Sequence, residues 1–226
     1  MAEKTAAGPA AADPEAEKLE KAISRGAAAL GQQLPAAAAA RLARLLLLLA
    51  KWSRAYNLTA VRRPGDMVTE HVLDALSIRP WLDGHRIADV GTGAGLPGLV
   101  LAIVEPERRF TLLDASGKKL RFVRHAVAEL GLANVEVVQA RVEDYAPEAG
   151  FDTVLCRAFA PLPRFVESSA HLITGHGKLL AQKGLSPDGE LGALPPGWAA
   201  ETAPVTVPGL AKTRHVVSLR RTEKAA

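Results

Sequence analysis

The chain has 226 residues, of which 48% are hydrophobic and 4% aromatic, and it carries a formal net charge of +4. That length suits one α/β domain with a modest extension, and the hydrophobic fraction excludes global disorder and predicts an aliphatic core. The mild positive balance favours anionic partners, nucleic acid first, while the one cysteine, Cys156, excludes an internal disulfide and reads as a small buried hydrophobe.

Residues 1–14 are rich in Ala, with acids and no apolar run. They read as a disordered tail without a signal peptide, which gives a cytoplasmic expectation. Residues 15–80 read as a helical extension. Leu19, Ile23 and Leu30 mark a helix over 15–30. Pro35 then permits a new start. Leu42, Leu45, Leu46, Leu49 and Trp52 share one face of the next helix, which runs to about residue 55. Its apolar run at 45–50 is far shorter than the ~20 residues a bilayer requires. A third helix is predicted over 66–79, ended by Pro80.

The texture then changes, and residues 81–226 form the predicted core domain. Strands are predicted at 86–90, at 110–113 ending on Asp114, at 135–138, 151–156 and 178–182. Helices lie between them at 96–104, 117–131 and 164–173. Two further strand-like stretches, 198–207 and 215–221, flank the Pro208-Gly209 turn and predict a hairpin at the sheet edge. Alternation with short connections predicts a mostly parallel seven-stranded sheet with helices on both faces.

The chemistry-bearing motif is Asp89-Val90-Gly91-Thr92-Gly93-Ala94-Gly95, between a strand and a helix. A dinucleotide fingerprint places its third glycine one position later, where Leu96 stands. The G-x-G-x-G spacing with an acid two residues ahead therefore disfavours a nicotinamide oxidoreductase. A pyrophosphate wants a helix N-terminus and no nearby acid. S-adenosylmethionine has no phosphate and carries net positive charge, which Asp89 suits. Asp114, at the end of the second strand, stands where a carboxylate accepts ribose hydroxyls. Glu143 follows the third strand beside Val142, in place to flank an adenine edge. The competing readings are a helix cap for Asp114 and a solvated pair for Glu143 and Asp144.

These residues bring a family with them. Lys51-Trp52, Tyr56-Asn57-Leu58-Thr59, His71-Val72-Leu73-Asp74, the loop from Asp89 to Gly98, Leu112-Leu113-Asp114, Lys118-Lys119-Leu120-Arg121-Phe122, Arg141-Val142-Glu143, Arg157-Ala158-Phe159-Ala160 and Arg214-His215 together resemble the RsmG (GidB) family of bacterial small-subunit ribosomal RNA guanine-N7 methyltransferases. The resemblance covers roughly residues 40–220, and the first forty have no counterpart. It implies a Rossmann-like class I methyltransferase. It implies S-adenosyl-L-methionine contacts at Gly91, Leu96, Val142, Glu143 and Arg157, to which strand-end position adds Asp114 and the loop adds Asp89, Gly93 and Gly95. It implies ribosomal RNA as partner, within the small subunit.

Guanine N7 has a free lone pair, so no general base and no catalytic residue is expected. The six histidines show no metal-ligand spacing, and no metal is expected. Arg62, Arg63 and Arg214 are the expected phosphate contacts, with Lys118 to Arg124 as the alternative track. A methyltransferase acting on another RNA, a protein or a small molecule is the second reading, and a non-catalytic RNA-binding factor a third.

Overall fold

The computed structural model describes residues 13–222, so residues 1–12 of the expected tail lie outside them. Asp13 and Pro14 open a helix instead. Asp13 is the N-cap of α1 (Pro14–Ala29), its carboxylate accepting the Glu15 N–H, and Pro14 takes the first helical position. Leu19, Ile23 and Ala27 form its buried stripe. In α2 (Ala36–Tyr56), Leu42, Leu45, Leu46 and Leu49 are wholly buried on one face. Asn57 ends α2 in the left-handed conformation, which Asn tolerates best among residues with a side chain.

The third predicted helix is irregular. A short α3 (Pro64–Met67) runs into a π-helical turn (Val68–Leu73) and then α4 (Asp74–Leu76). Pro80 sits inside a separate 3-10 turn, Arg79–Trp81, so the helix stops before it. The wider turn is a recurrent feature of functional helices.

The core domain follows the expected alternation. Strands β1 (Arg86–Val90), β2 (Arg109–Asp114), β3 (Val135–Gln139), β4 (Phe151–Arg157) and β5 (Ile173–Lys183) are parallel. The hairpin of β6 (Trp198–Val205) and β7 (Arg214–Arg221) completes a sheet of order β3-β2-β1-β4-β5-β7-β6, with β7 antiparallel to β5. The helices are α5 (Gly98–Val104), α6 (Gly117–Leu130), α7 (Leu162–Ser169) and the short α8 (Asp188–Leu191). Helix α5 starts two residues later than predicted, after Leu96 and Pro97 have completed the loop.

Two apolar clusters flank the sheet. One joins α1, α2, the 64–76 segment, α5 and α6; the other lies under α7. The extension thus forms a third layer on α5 and α6. Its 64–76 segment reaches the carboxyl edge, where Asp74 meets Arg157 of β4 and Gln182 of β5. Cys156 is buried, and burial pushes its thiol pKa up, so it is a core residue and no nucleophile.

Candidate functional site

Strand β1 leaves the sheet into a loop that only glycines adopt without strain. Gly91, Gly93 and Gly95 have φ of +66°, +60° and +80°. Their surroundings differ. A side chain at Gly91 would run into the Phe159 ring, and one at Gly95 into Leu99. At Gly93 the nearest atom to an added Cβ is the Gly91 carbonyl at 3.9 Å. Gly93 alone of the three borders open space. Its N–H donates to Asp114 Oδ2 at 2.9 Å, while Asp114 Oδ1 accepts the Ser116 N–H at 2.8 Å. Asp114 therefore fastens the loop to the turn that opens α6.

Asp89 requires a correction. It does not face a ligand: its exposure is 0%. Its Oδ2 accepts the Thr92 hydroxyl at 2.7 Å and the Gly98 N–H at 2.8 Å. The reason is local, since the first turn of α5 presents N–H groups that need an acceptor. Burial pushes the Asp89 pKa up to about 6.

Beside the loop lies a cleft of about 350 Å³. Gly91, Asp114, Val142 and Glu143 line it, as their places at the strand ends predict. Leu113, Ala115, Lys119, Ala140, Arg141, Ala158 and Phe159 complete it. Val142 and Glu143 stand on a 3-10 turn after β3, and Glu143 pairs with Arg164 at 2.9 Å. A larger hollow of about 640 Å³ sits at the opposite edge of the sheet among Arg86, Arg108, Arg109 and Phe151. It contains neither the glycine loop nor the strand-end acids. Ligands of open α/β sheets bind outside the carboxyl ends of the strands, which favours the smaller cleft.

Gly93, Gly95, Leu96 and Arg157 do not line this cleft. Leu96 is buried, its N–H donating to the Thr92 carbonyl. Arg157 donates through Nη1 to Asp74 Oδ2 at 3.1 Å, so a structural ion pair exists where a purely ligand-facing role is expected from the resemblance. Two of the expected phosphate contacts also change. Arg214 donates through Nε to Asp74 Oδ1 at 2.8 Å. Arg62 holds the end of α2, donating to the Ser53 carbonyl and to Asn57 Oδ1, both at 3.0 Å. Arg63 is exposed and makes no ion pair among the described residues.

His71 closes the same network. A carbonyl only accepts, so Nδ1–H donates to the Glu70 carbonyl at 2.9 Å, and Nε2 accepts the Thr59 hydroxyl at 2.8 Å. Burial, aided by the Arg157 charge, lowers its pKa to about 4. The folded value lies below the unfolded 6.5, so the unfolded chain binds more protons between those limits. Stability from His71 is then present above about pH 6.5 and falls by roughly 3 kcal/mol as pH drops toward about 4. Asp89 contributes with the opposite sign in an overlapping window, so the difference between two proteins is the clean measure. His71→Gln should lose less stability than wild type between about pH 7.5 and 4.5 in urea titrations. Parallel pH profiles would show that His71 is not the sensor.

Several lining residues, Ala158 and Phe159 among them, are not singled out as site residues by the sequence. Ala158 has φ of +49°, unusual for a residue with a side chain and characteristic of constrained sites. It turns Phe159 over Gly91, and Lys183 holds the segment by donating to the Ala160 carbonyl at 2.9 Å. The run Arg157-Ala158-Phe159-Ala160 is visible in the sequence, but which member faces the cleft depends on that dihedral.

The family model for GidB, "rRNA small subunit methyltransferase G", matches residues 38–217. The chain belongs to the GidB family. Among its relatives, the ribosomal RNA small subunit methyltransferase G of Methylococcus capsulatus is 50% identical over 200 residues, covering 88% of this chain and 98% of that protein. The Chromohalobacter salexigens protein of the same name is 50% identical over 203 residues, covering 89% and 97%. Among solved structures, the glycopeptide N-methyltransferase MtfA superposes with a TM-score of 0.57 at 16% identity, covering 71% of this chain and all of that one. This likeness shows the fold, that of class I methyltransferases. GidB membership covers the glycine loop, the strand-end acids and the 64–76 segment alike. Among the described residues there is no group of three or more potential metal ligands, and no helix is long and apolar enough to cross a membrane.

Proposed function

We propose that this chain transfers a methyl group from S-adenosyl-L-methionine to N7 of a guanine in small-subunit ribosomal RNA, in the cytoplasm. The observation that carries the reading is the convergence of Gly91, Asp114, Val142 and Glu143 on one cleft at the carboxyl edge, in a chain of the GidB family. The residues fit the donor. Gly93 leaves open space where the backbone must be approached. Asp114 already accepts two N–H groups, yet a carboxylate offers about four acceptor sites, and two remain for ribose hydroxyls. Glu143 and Val142 stand where the adenine edge would lie, and Phe159 walls the cleft beside them. Arg157 acts at one remove, since it leads into Ala158 and Phe159, and Leu96 supports the loop from behind.

When bound, the donor would supply an electrophilic methyl on a sulfonium, whose transfer in line to guanine N7 would break the sulfur–methyl bond and release S-adenosylhomocysteine as the neutral thioether. Guanine N7 attacks with its own lone pair and has no proton to lose. The chain's part is therefore to bind, orient and keep water out, which can supply on the order of 7–11 kcal/mol at best. No residue is assigned as acid or base.

Calorimetric titration with S-adenosylhomocysteine and with NAD tests the donor class: binding of the first alone is expected, and binding of NAD alone would reverse the reading. Asp114→Ala should weaken S-adenosylhomocysteine binding by roughly 1.5–3 kcal/mol, the range for hydrogen bonds to a charged group. An unchanged affinity would leave Asp114 as a fastening for the loop and for α6 only.

A further inference from the structure

We propose that the ribosomal RNA backbone docks on the ridge formed by the end of α2, the loop that follows it and the first turns of α6. This rests on the reading that RNA is the substrate. Between residues 36 and 65 there is no acidic side chain, and none between 117 and 128. These two stretches bring Lys51, Arg54, Arg63, Lys118, Arg121 and Arg124 to the surface, with Lys119 beside them, all exposed. None of them makes an ion pair among the described residues. The contrast lies on the same helices: farther along, Arg44 of α2 pairs with Glu129 of α6.

The ridge is rigid. Trp52 stacks on Tyr56 with ring centres 5.2 Å apart and lies 5.1 Å from the His125 ring, and Lys118 sits over the Tyr56 ring at 5.8 Å. This aromatic seam packs α2 against α6, so the helix positions that carry the cations are set by one interface. The ridge also leads to the cleft, because Lys119 is common to both. Like-charged side chains gathered without counter-charges repel one another, and a polyanion relieves that repulsion. Phosphate contacts fix register without reading sequence, which suits a surface that guides one base into an adjoining cleft.

The test is a triple variant, Lys118→Gln with Arg121→Gln and Arg124→Gln, which spares cleft-lining Lys119. A charge-preserving set, Lys118→Arg with Arg121→Lys and Arg124→Lys, serves as the folding control. Affinity for small ribosomal subunits is measured against salt, alongside methyl-transfer kinetics and S-adenosylhomocysteine binding. The neutral variant should flatten the log–log salt slope by about 0.7–0.9 for each phosphate no longer neutralised. Its KM for the subunit should rise about tenfold or more, with donor affinity unchanged, while the charge-preserving variant keeps the wild-type slope. A neutral variant with the wild-type slope and KM would overturn the docking surface alone. A wild-type protein that transfers no methyl to RNA would overturn the functional reading and the surface with it.

Discussion

Gly93→Val should abolish donor binding while leaving the fold in place. The two halves of this expectation have separate causes. A β-branched residue at φ +60° is strained, at a cost of about 1–2 kcal/mol. No core atom stands in its way, however, because the nearest neighbour of the added Cβ is the Gly91 carbonyl at 3.9 Å. The isopropyl group therefore extends into the space beside the loop, where the donor would lie against the main chain. Calorimetry should detect no S-adenosylhomocysteine binding, with a normal circular dichroism spectrum. Gly98→Val is the contrasting case. Its Cβ would meet Leu112 and the Asp89 carboxylate, so that variant should fail by unfolding. Normal affinity in a folded Gly93→Val protein would remove the loop from the site.

Asp74→Ala should strongly destabilise the carboxyl edge. Its side chain is 3% exposed and lies between two guanidinium groups, from Arg157 and Arg214. Truncation leaves both cations facing one another without a counter-charge. Breaking a buried pair in this way costs about 3–5 kcal/mol. The lower end applies, because Arg157 and Arg214 retain 22% and 19% exposure and water can reach them. The urea midpoint should fall accordingly. Adding Arg214→Ala to Asp74→Ala should restore part of the loss, because the two positions share one interaction. A strictly additive double variant would show that Asp74 stabilises the edge through its neighbours' packing, not its charge.

The same network shows where sequence reasoning reaches its limit. The strands are legible because buried parallel strands read as short apolar runs with turn residues between them, and α2 because its leucines repeat at helical spacing. The loop and Asp114 are legible because strand ends and glycines mark the carboxyl edge. The ion pairs are not. Asp74 meets partners 83 and 140 residues away, and no local spacing encodes such a meeting. Arg214 and Arg62 thus look like free cations until their partners are placed. Asp89 belongs with them: its strand position is clear, but which way its carboxylate faces depends on where α5 begins. Lys118 to Arg124 carry the opposite lesson. Their charge is visible in the sequence, and the structure adds that α2 lies alongside and contributes no acid.

Methyl transfer itself tests the proposed activity most directly. The wild-type protein, supplied with methyl-labelled S-adenosyl-L-methionine, is offered small ribosomal subunits, naked ribosomal RNA and a protein extract, and the labelled product is digested to nucleosides. Label in the small-subunit RNA, recovered as 7-methylguanosine, is the predicted result. Label in protein, or in a nucleoside methylated at another atom, would contradict it.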